Sequence, residues 1–392
     1  MSLPLEGIRI LDLSMYLPGP FCTQLLADFG AEVIKIEELS GEWGRQVYPA
    51  IGDKSALFYA VNRGKKSLAV NLKTEVGKEI FISLARNADV IVEQFRPGVM
   101  DRLGLGYEVI SRVNPQIIYS SISGYGHSGP LKKAAGHDLN YLSLAGITSL
   151  TGTRDQPGMS GVQIADLAGG SLSAVIAILL ALLARGKIGR GQYCDIAMLD
   201  GAISLLAYSL AEWSGLERLP ACNREILTGG YACYQIYATA DKNYVSLGAV
   251  EAKFWRRFCE RIGRPEYIPY QWDSSRQAEI LTDVRAIMAG KTRQEWVDFF
   301  AEDDICFTPV LNLQEMTQHP QVKNREMIIK MENVQGSGKD MMLTGSAVKL
   351  SHTPAVIEPV FPEIGEHTDA LLQEIGYSSR EIANLKEKKV LA

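Results

Sequence analysis

The first two hundred residues alternate between short apolar runs and longer segments in which apolar residues recur at helical spacing. Strands that alternate with helices form βαβ units, whose parallel sheet is covered by helices on both faces. The pattern therefore predicts an α/β fold with a mainly parallel sheet. The predicted strands are residues 8–13, 32–36, 67–72, 89–93 and 117–121, and the helices between them include 21–29 and 75–87.

The most apolar stretch of the chain, residues 174–184, is 11 residues long. A helix that spans a membrane needs about 20 apolar residues. We therefore expect a buried core helix here and no membrane partner.

Beyond residue 200 the pattern changes to that of a smaller mixed domain. After a polar, irregular stretch at 214–228 come strands at 231–237, 244–247 and 306–311 and helices at 251–262 and 293–301. Residues after 314 are hydrophilic and irregular until two short terminal helices, 368–375 and 379–388. We expect this tail to pack back on the first domain.

A chain of 392 residues exceeds the size at which one hydrophobic core stops growing, which favours two domains. We predict a large α/β domain over residues 1–200, completed by 330–392. A linker over 201–228 leads to a small α+β domain over 229–314, and residues 315–329 form the return linker.

The net charge of −5 and the isoelectric point near 5.7 provide no overall attraction to nucleic acid or to an anionic membrane. The six cysteines are scattered, without a C-x-x-C pair or a histidine at metal-ligand spacing. This usage is typical of free thiols in a reducing cytoplasm, so we expect no metal site. The amino terminus lacks the basic and apolar segments of a signal peptide, which also favours a cytoplasmic protein.

Residues 124–129, Gly-Tyr-Gly-His-Ser-Gly, match the G-x-G-x-x-G spacing of a dinucleotide-binding loop. In a true site the third glycine lies inside a helix, and an acidic residue about 20 positions later holds a ribose. Here Pro130 and Gly136 follow the motif, and no acidic residue has that spacing. We therefore interpret the glycines as a tight backbone turn beside a ligand.

A histidine and an aspartate, His137 and Asp166, stand at the starts of two helix-like segments. Proton-transfer sites often recruit these side chains, although either residue could simply cap its helix. An aspartate at a helix start has its charged form stabilised, and free N–H groups beside it could bind a developing oxyanion. Gly169 and Gly170 would keep that surface bare for a substrate, which a mere cap would not require.

A basic cluster begins at Arg63 and Lys65, and Lys73, Arg96 and Arg102 follow the next strands. A charge run is usually a solvated face. These residues, however, lie near the ends of predicted strands, where open α/β folds bind ligands, and their side chains suit phosphate. The cluster predicts a phosphorylated ligand.

Several motifs are shared with a known family, namely residues 5–13, 18–21, 26–31, 63–68, 96–99 and 364–368. On these motifs the chain resembles the family III CoA-transferases, the CaiB/BaiF superfamily. Three further motifs, 135–141, 165–170 and 248–254, are similar to the α-methylacyl-CoA racemase branch of that family.

The resemblance implies that Asp166 and His137 are two catalytic bases and that Glu251 pairs with the histidine. On its own, Glu251 would be explained as an acid favoured at the start of a helix. The family implies a doubly wound, Rossmann-like large domain, a small α+β domain and an interlocked homodimer, in which Glu251 acts across the dimer. It also implies an acyl-CoA thioester substrate, inverted at its α-carbon through an enolate, and no cofactor beyond the CoA of that substrate.

The same resemblance implies where CoA binds. Glu38 stands where relatives often carry arginine, so the nucleotide contacts are expected to be rearranged or to rest on Lys35 and Arg63. Thr228 replaces a usual aspartate, and we expect the acyl pocket to differ. The implied CoA contacts are Ala69, Val70, Asn71, Leu72, Lys73, Gln94, Phe95, Arg102, Ala135, Gly136, Asp138 and Asn140.

Two other functions fit these residues. In the transferase branch the aspartate at the position of Asp166 attacks the thioester and forms an aspartyl-CoA thioester. Asp166 does not discriminate between the branches, whereas His137 favours the racemases because many transferases lack it. The third hypothesis, a CoA- or nucleotide-binding protein without catalysis, gives no reason for His137, Asp166 and Glu251 to occur together.

Overall fold

The computed structural model describes residues 2–52, 54–153 and 155–392. Its main feature is a six-stranded sheet in which all neighbouring strands are parallel. The α/β prediction is confirmed. In chain order the strands are β1 Arg9–Leu13, β2 Glu32–Glu37, β3 Ala50–Ile51, β4 Lys54–Ser55, β5 Lys66–Ala69, β6 Val90–Glu93, β7 Ile118–Ser123, β8 Tyr193–Ala197, β9 Tyr234–Ala238, β10 Tyr244–Gly248, β11 Phe307–Pro309, β12 Ile328–Met331 and β13 Met341–Thr344.

The helices connect these strands. In chain order they are α1 Pro18–Ala27, α2 Ala56–Val61, α3 Glu75–Ala85, α4 Val99–Leu103, α5 Tyr107–Val113, α6 Asp138–Leu144, α7 Ile147–Leu150, α8 Ser173–Ile188, α9 Met198–Ser204, α10 Ala207–Leu216, α11 Ala252–Arg261, α12 Gln277–Met288, α13 Arg293–Phe299, α14 Leu313–Gln318, α15 Pro320–Asn324, α16 Thr368–Glu374 and α17 Ser379–Glu387. A π-helical segment, Ala165–Leu172, leads directly into α8.

The main sheet has the strand order β5-β2-β1-β6-β7-β8. The first three strands of this sheet therefore run from β1 at the centre to β5 at one edge, and the next three run from β6 at the centre to β8 at the other edge. In such doubly wound sheets the connections after the two central strands diverge and leave a crevice at the carboxyl ends of the strands. Here that crevice lies beyond β1 and β6.

The predicted strands of this sheet are right in place and type because they are buried apolar segments. Leu11 of β1 pairs with Ile34 of β2 and Ile91 of β6, and all three residues are fully buried. Leu372 of α16 and Leu385 of α17 belong to the same hydrophobic cluster. The carboxyl-terminal tail thus packs on the large sheet, as predicted.

The chain divides into two compact units. The first consists of residues 1–145, 162–205 and 320–392, and the second of 146–161 and 206–319. The second unit contains the antiparallel sheet β11-β10-β9 and its own aromatic core, which includes Trp255, Trp296 and Phe300. Residues 146–161 belong to the second unit although they precede the strand β8 in sequence.

The prediction of an irregular segment after residue 314 is wrong in part. Strands β12 and β13 form an antiparallel hairpin there, and Leu343 is buried with Phe58 and Phe361. Each strand has only four residues, too few to show a clear alternation of polar and apolar positions.

The prediction of a helix over 174–184 is confirmed, but its expected burial in a core is wrong within this chain. Residues 165–188 form one continuous helix of 24 residues, long and apolar enough to cross a membrane by length and composition, with a peak mean hydropathy of 2.4. Ala174, Ile178 and Ala181 of α8 are buried. Ile176 and Leu183, however, are 59% and 69% exposed. Apolar composition did not reveal which face of the helix the chain itself covers.

Candidate active site

Two cavities lie side by side at the carboxyl edge of the main sheet. The first has a volume of about 520 Å³ and is lined by residues that follow β1, β2, β5 and β6. The second has about 560 Å³ and is lined by the loops after β1, β6 and β7, by the start of α6 and by Asp166. Met15 and Phe95 line both cavities, so the two spaces adjoin. Together they could hold an elongated ligand.

Six of the predicted CoA contacts line the first cavity. Leu72 and Phe95 provide an apolar wall, and Lys73 and Arg102 provide two exposed cations. Ala69 ends β5, and its carbonyl accepts a hydrogen bond from the N–H of Ala392. The six contacts are Val70, Asn71, Leu72, Lys73, Phe95 and Arg102.

The expectation that Lys35 and Arg63 meet a nucleotide is wrong. Lys35 is fully buried, where its Nζ donates to the carbonyl of Ser14 at 2.8 Å. Arg63 forms two hydrogen bonds with the carboxylate of Asp28, at 2.9 and 2.7 Å. Buried cations are held by such partners because desolvating a lone charge is very costly. These two side chains therefore stabilise the fold.

Glu38 lines the first cavity, and its carboxylate lies 3.7 Å from Nζ of Lys73. Both side chains are more than 70% exposed, so this ion pair contributes little stability. Lys73 can therefore turn towards a phosphate without a large cost.

His137 and Asp166 both line the second cavity, as do Gln94, Ala135 and Asn140. The backbone N–H of His137 donates to Oδ1 of Asn140 at 3.0 Å, at the start of α6. The imidazole belongs to an exposed residue, whereas Asp166 is partly buried. The structure thus brings the two predicted bases to the same cavity.

Asp138 is the side chain that organises the segment around Asp166. Its Oδ1 accepts hydrogen bonds from the N–H groups of Ala165 and Asp166 at 2.7 and 3.0 Å. Burial, and after it the negative charge of Asp138, raise the pKa of the Asp166 carboxyl to about 6. A carboxyl group with this pKa can both accept and return a proton near neutral pH.

Two predictions about Asp166 are corrected by this arrangement. The residue is not a cap, because the helical segment begins at Ala165 with Ile164 before it. Its N–H is not free for an oxyanion either, since Asp138 accepts that hydrogen bond. The N–H of Leu167 donates to the carbonyl of Gln163. The sequence could not show that a carboxylate 28 positions away takes these donors.

Gly169 and Gly170 do not expose a bare surface to a substrate, contrary to the prediction, because both residues are buried. A Cβ atom on Gly169 would lie 2.5 Å from the carbonyl oxygen of Met198, and one on Gly201 would lie 2.4 Å from Cα of Gly169. The glycines are required because α9 crosses the π-helical segment closely.

Tyr141 is a site residue that the sequence analysis missed as a functional residue. Its hydroxyl donates to the carbonyl of Gly136 at 2.6 Å, which fixes the backbone next to His137. Burial raises the pKa of Tyr141 to about 12, and the charge of Asp166 acts in the same direction. A Cβ on Gly136 would lie 2.7 Å from the ring of Tyr141 and 2.8 Å from the hydroxyl oxygen of Tyr125, which explains the glycine. No sequence signal distinguishes this tyrosine from a core residue.

Glu251 belongs to the second unit and is exposed. It precedes α11, and its carbonyl accepts hydrogen bonds from Phe254 and Trp255. Its predicted pairing with a histidine stays a prediction.

The cysteines and the acidic residues are the side chains to consider for a metal centre. All six cysteines are free thiols. Among the residues that the structure describes, no group of three or more His, Cys, Asp or Glu side chains could hold a metal ion.

Comparisons with known proteins give a consistent result. A model of CoA-transferase family III matches residues 5–368. The chain is 36% identical to the alpha-methylacyl-CoA racemase of Mus musculus over 391 residues, which cover 99% of this chain and 97% of the relative. It is 34% identical to the acetyl-CoA:oxalate CoA-transferase of Acetobacter aceti, with 95% of each chain covered. A CAIB/BAIF family protein from Brucella suis has a similar structure, with a TM-score of 0.83 and 30% identity over 96% of this chain and 100% of that chain.

Proposed function

The chain belongs to CoA-transferase family III, and from this premise we propose that it racemises or epimerises 2-methylacyl-CoA thioesters by 1,1-proton transfer. The observation that carries the proposal is the presence of His137 and Asp166 on one cavity, with the pKa of Asp166 raised to about 6. A raised pKa suits a group that must exchange a proton with a weak carbon acid.

The substrate spans the two adjoining cavities. Its CoA portion occupies the first, where Lys73 and Arg102 meet phosphate groups and Phe95 contacts apolar parts of the ligand. Its acyl thioester reaches the second cavity, between Asp166 and His137. The volumes of about 520 and 560 Å³ are within the range of small-molecule sites.

In one direction the carboxylate of Asp166 removes the α-proton, and the C–H electron pair passes into the enolate of the thioester. Protonated His137 then delivers a proton to the opposite face of the α-carbon. In the other direction the roles are exchanged. The enolate oxygen needs donors other than the N–H of Asp166, because Asp138 occupies that group.

The active protein is a cytoplasmic homodimer in which Glu251 of one chain pairs with His137 of the other. Two observations support this part of the proposal. The face of α8 that carries Ile176 and Leu183 is exposed in the single chain, and large exposed apolar patches mark interaction surfaces. Glu251 is also exposed and available to a partner.

The test is to incubate the protein with one enantiomer of a 2-methylacyl-CoA in deuterated water and to follow the α-position by mass and chirality. We expect deuterium uptake together with loss of enantiomeric purity. The Asp166→Asn variant keeps the shape of the side chain but cannot act as a base, so it should be inactive. Turnover by this variant would refute the site.

The second candidate is CoA transfer between carboxylic acids, which the similarity to the Acetobacter aceti transferase favours. Asp166 would then attack the thioester carbonyl and, through an anhydride, carry CoA as an aspartyl thioester. Hydroxylamine would trap that thioester at Asp166 in the presence of a donor acyl-CoA. An adduct without any deuterium uptake at the α-carbon would replace the racemase proposal with this one.

A further inference from the structure

A chain of three hydrogen-bonded side chains, Glu93, Ser121 and His127, lies beside the candidate active site. Glu93 ends β6, and its register partner on β7 is Ser121. The Ser121 hydroxyl donates to Oε1 of Glu93 and lies 2.6 Å from Nε2 of His127. Glu93 is 3% exposed and Ser121 is fully buried. We call this group the Glu93–Ser121–His127 chain.

The glycine-rich turn noted in the sequence brings His127 to this position. The backbone of Gly126 has a positive φ of 82°, so the chain reverses after β7 and returns the imidazole over Ser121. The N–H of His127 donates to the carboxylate of Asp195, the register partner of Ser121 on β8. The ring also meets that of Tyr193 edge to face, with centroids 5.6 Å apart.

These residues are not part of the two substrate cavities. Glu93 and His127 line a third cavity of about 360 Å³, and Arg96 lines both this cavity and the second one. The charged groups around it are Asp101, Glu108 and Arg96. Tyr119 and Tyr193 face it from β7 and β8, and Asp195 stands beside His127.

Glu93 is connected to the substrate cavities through the backbone. Its Oε2 accepts the N–H of Phe95 at 2.8 Å. Phe95 borders both substrate cavities, and Oε1 of Gln94 accepts the N–H of Gly19 at 2.9 Å. The buried carboxyl group of Glu93 and the side-chain amide of Gln94 therefore hold the first two residues of the loop 94–97.

The Glu93–Ser121–His127 chain has two protonation states, which differ by the proton of Glu93. When Glu93 is protonated, it donates to Ser121, which donates to Nε2 of a neutral His127 that carries its proton on Nδ1. When Glu93 has lost its proton to solvent, Ser121 donates to it, and the neutral imidazole, now with its proton on Nε2, donates to Ser121. Only the ionised form gives Phe95 a charged acceptor, and charge-assisted hydrogen bonds are roughly twice as strong as neutral ones.

The environment makes this change accessible near neutral pH. Burial raises the pKa of Glu93 to about 7, and the charge of Asp101 acts in the same direction, whereas the hydrogen bonds from Ser121 and Phe95 lower it. Burial lowers the pKa of His127. Around pH 7 the group that gains or loses a proton is therefore Glu93, and the imidazole of His127 is neutral.

We propose that the Glu93–Ser121–His127 chain is a positioning device for the loop 94–97, and that its protonation weakens the binding of CoA ligands in the adjoining cavity. The proposal rests on the acyl-CoA ligand of the proposed function but not on the chemistry at Asp166. Glu93 is accordingly a positioning residue and not a catalytic one.

The test uses free CoA as the probe and measures its binding to the full chain by calorimetry between pH 6 and pH 8.5. CoA itself ionises in this pH range. The Glu93→Gln variant measures that contribution, because the glutamine side chain stays neutral throughout. Relative to that variant, the wild type should lose about threefold to tenfold in affinity as the pH falls from 8 to 6, the effect of one hydrogen bond. Once the effect of CoA ionisation is subtracted, the Glu93→Gln variant should bind CoA at pH 8 as weakly as the wild type binds it at pH 6.

Ser121→Ala removes a single oxygen atom and should shift the midpoint of the binding profile. His127→Gln should shift it as well, whereas the same substitution at the exposed His352 should not. Parallel profiles for the wild type and Glu93→Gln, with thermal melting showing both folded, would overturn the proposal.

Turnover separates positioning from general damage. In the deuterium-exchange assay Glu93→Gln should raise KM and change kcat by less than about twofold. Equal losses in kcat and kcat/KM would contradict the proposal. A wild type that binds CoA with the expected pH profile but exchanges no α-proton would refute the proposed function and leave this inference standing.

Discussion

The carboxylate of Asp138 accepts the backbone N–H of Asp166 at 3.0 Å while its negative charge raises the pKa of the Asp166 carboxyl. One residue therefore fixes the main chain of the candidate base and adjusts its protonation. The two effects can be separated, because an amide oxygen would preserve the hydrogen bonds and remove the charge.

Asp138→Asn should lower the pKa of Asp166 towards its ordinary value. In the direction that uses Asp166 as the base, the acid limb of kcat/KM against pH should move to lower pH. The exposed Asp155→Asn variant is the control and should leave the limb in place. An unchanged limb in Asp138→Asn would show that the charge of Asp138 is not felt at the reacting carboxyl.

The wild-type profile of kcat/KM against pH should be the same from either enantiomer, because the equilibrium constant between two enantiomers is one at every pH. In the direction where Asp166 acts as the base its carboxyl must be ionised, so kcat/KM should fall as the pH decreases through about 6, the pKa of that carboxyl in the folded protein. Since the ratio of kcat/KM in the two directions is fixed, the other enantiomer should show the same fall. Initial rates from each pure enantiomer test this, and a kcat/KM that stays level through pH 6 would count against Asp166 as one of the two bases.

His137→Ala should affect the two enantiomers unequally. Exchange from the enantiomer whose α-proton faces Asp166 should persist within about tenfold, whereas exchange from the other should fall by about 10²- to 10⁴-fold, the contribution of one acid–base group. Deuterium uptake from each enantiomer is the measurement, with His352→Ala as an exposed control. Equal losses from both enantiomers would argue against two bases.

Arg102→Leu should raise KM for the acyl-CoA substrate about tenfold with little change in kcat, because a charge-assisted contact with phosphate is lost before the chemical step. Arg112→Leu provides a matched control, since Arg112 is an exposed arginine of α5 outside the residues that line the first cavity. If both variants have the KM of the wild type, the ligand does not place its phosphate groups against Arg102.

Gly169→Ala should reduce the free energy of unfolding by about 1–3 kcal/mol, since the added methyl group overlaps the backbone of α9. Gly186→Ala is the control in the same continuous helix, where a Cβ meets nothing within 4 Å. This second variant should be more stable than the wild type by about 0.5–1 kcal/mol because alanine favours the helix. Chemical denaturation measures both, and a neutral Gly169→Ala would show that the helices can move apart freely.

The main sheet was predictable because its strands are buried on both sides and appear in the sequence as apolar runs. Leu11, Ile34 and Ile91 are examples, each fully buried and each in a predicted strand. Strands β12 and β13 are four residues each and half exposed, so their sequence carries no comparable signal.

The identity of the candidate bases was accessible from sequence motifs, whereas their surroundings were not. The hydrogen bonds that the Asp138 carboxylate accepts from the N–H groups of Ala165 and Asp166 depend on how two helix starts meet in space. Likewise, Gly169 carries no mark in the sequence that separates a close helix crossing from a bare substrate surface. Both features follow from tertiary packing, which local patterns do not encode.

The continuous helix of residues 165–188 carries Asp166 in its first turn and exposed apolar side chains such as Ile176 and Leu183 farther along. A rigid element of this kind connects the reacting carboxyl to whatever surface covers the apolar side chains. If a second copy of the chain covers them, dilution would loosen the element that carries the base. Specific activity would then decrease as the protein concentration falls, and assays at nanomolar concentration would underestimate the turnover of the assembled enzyme.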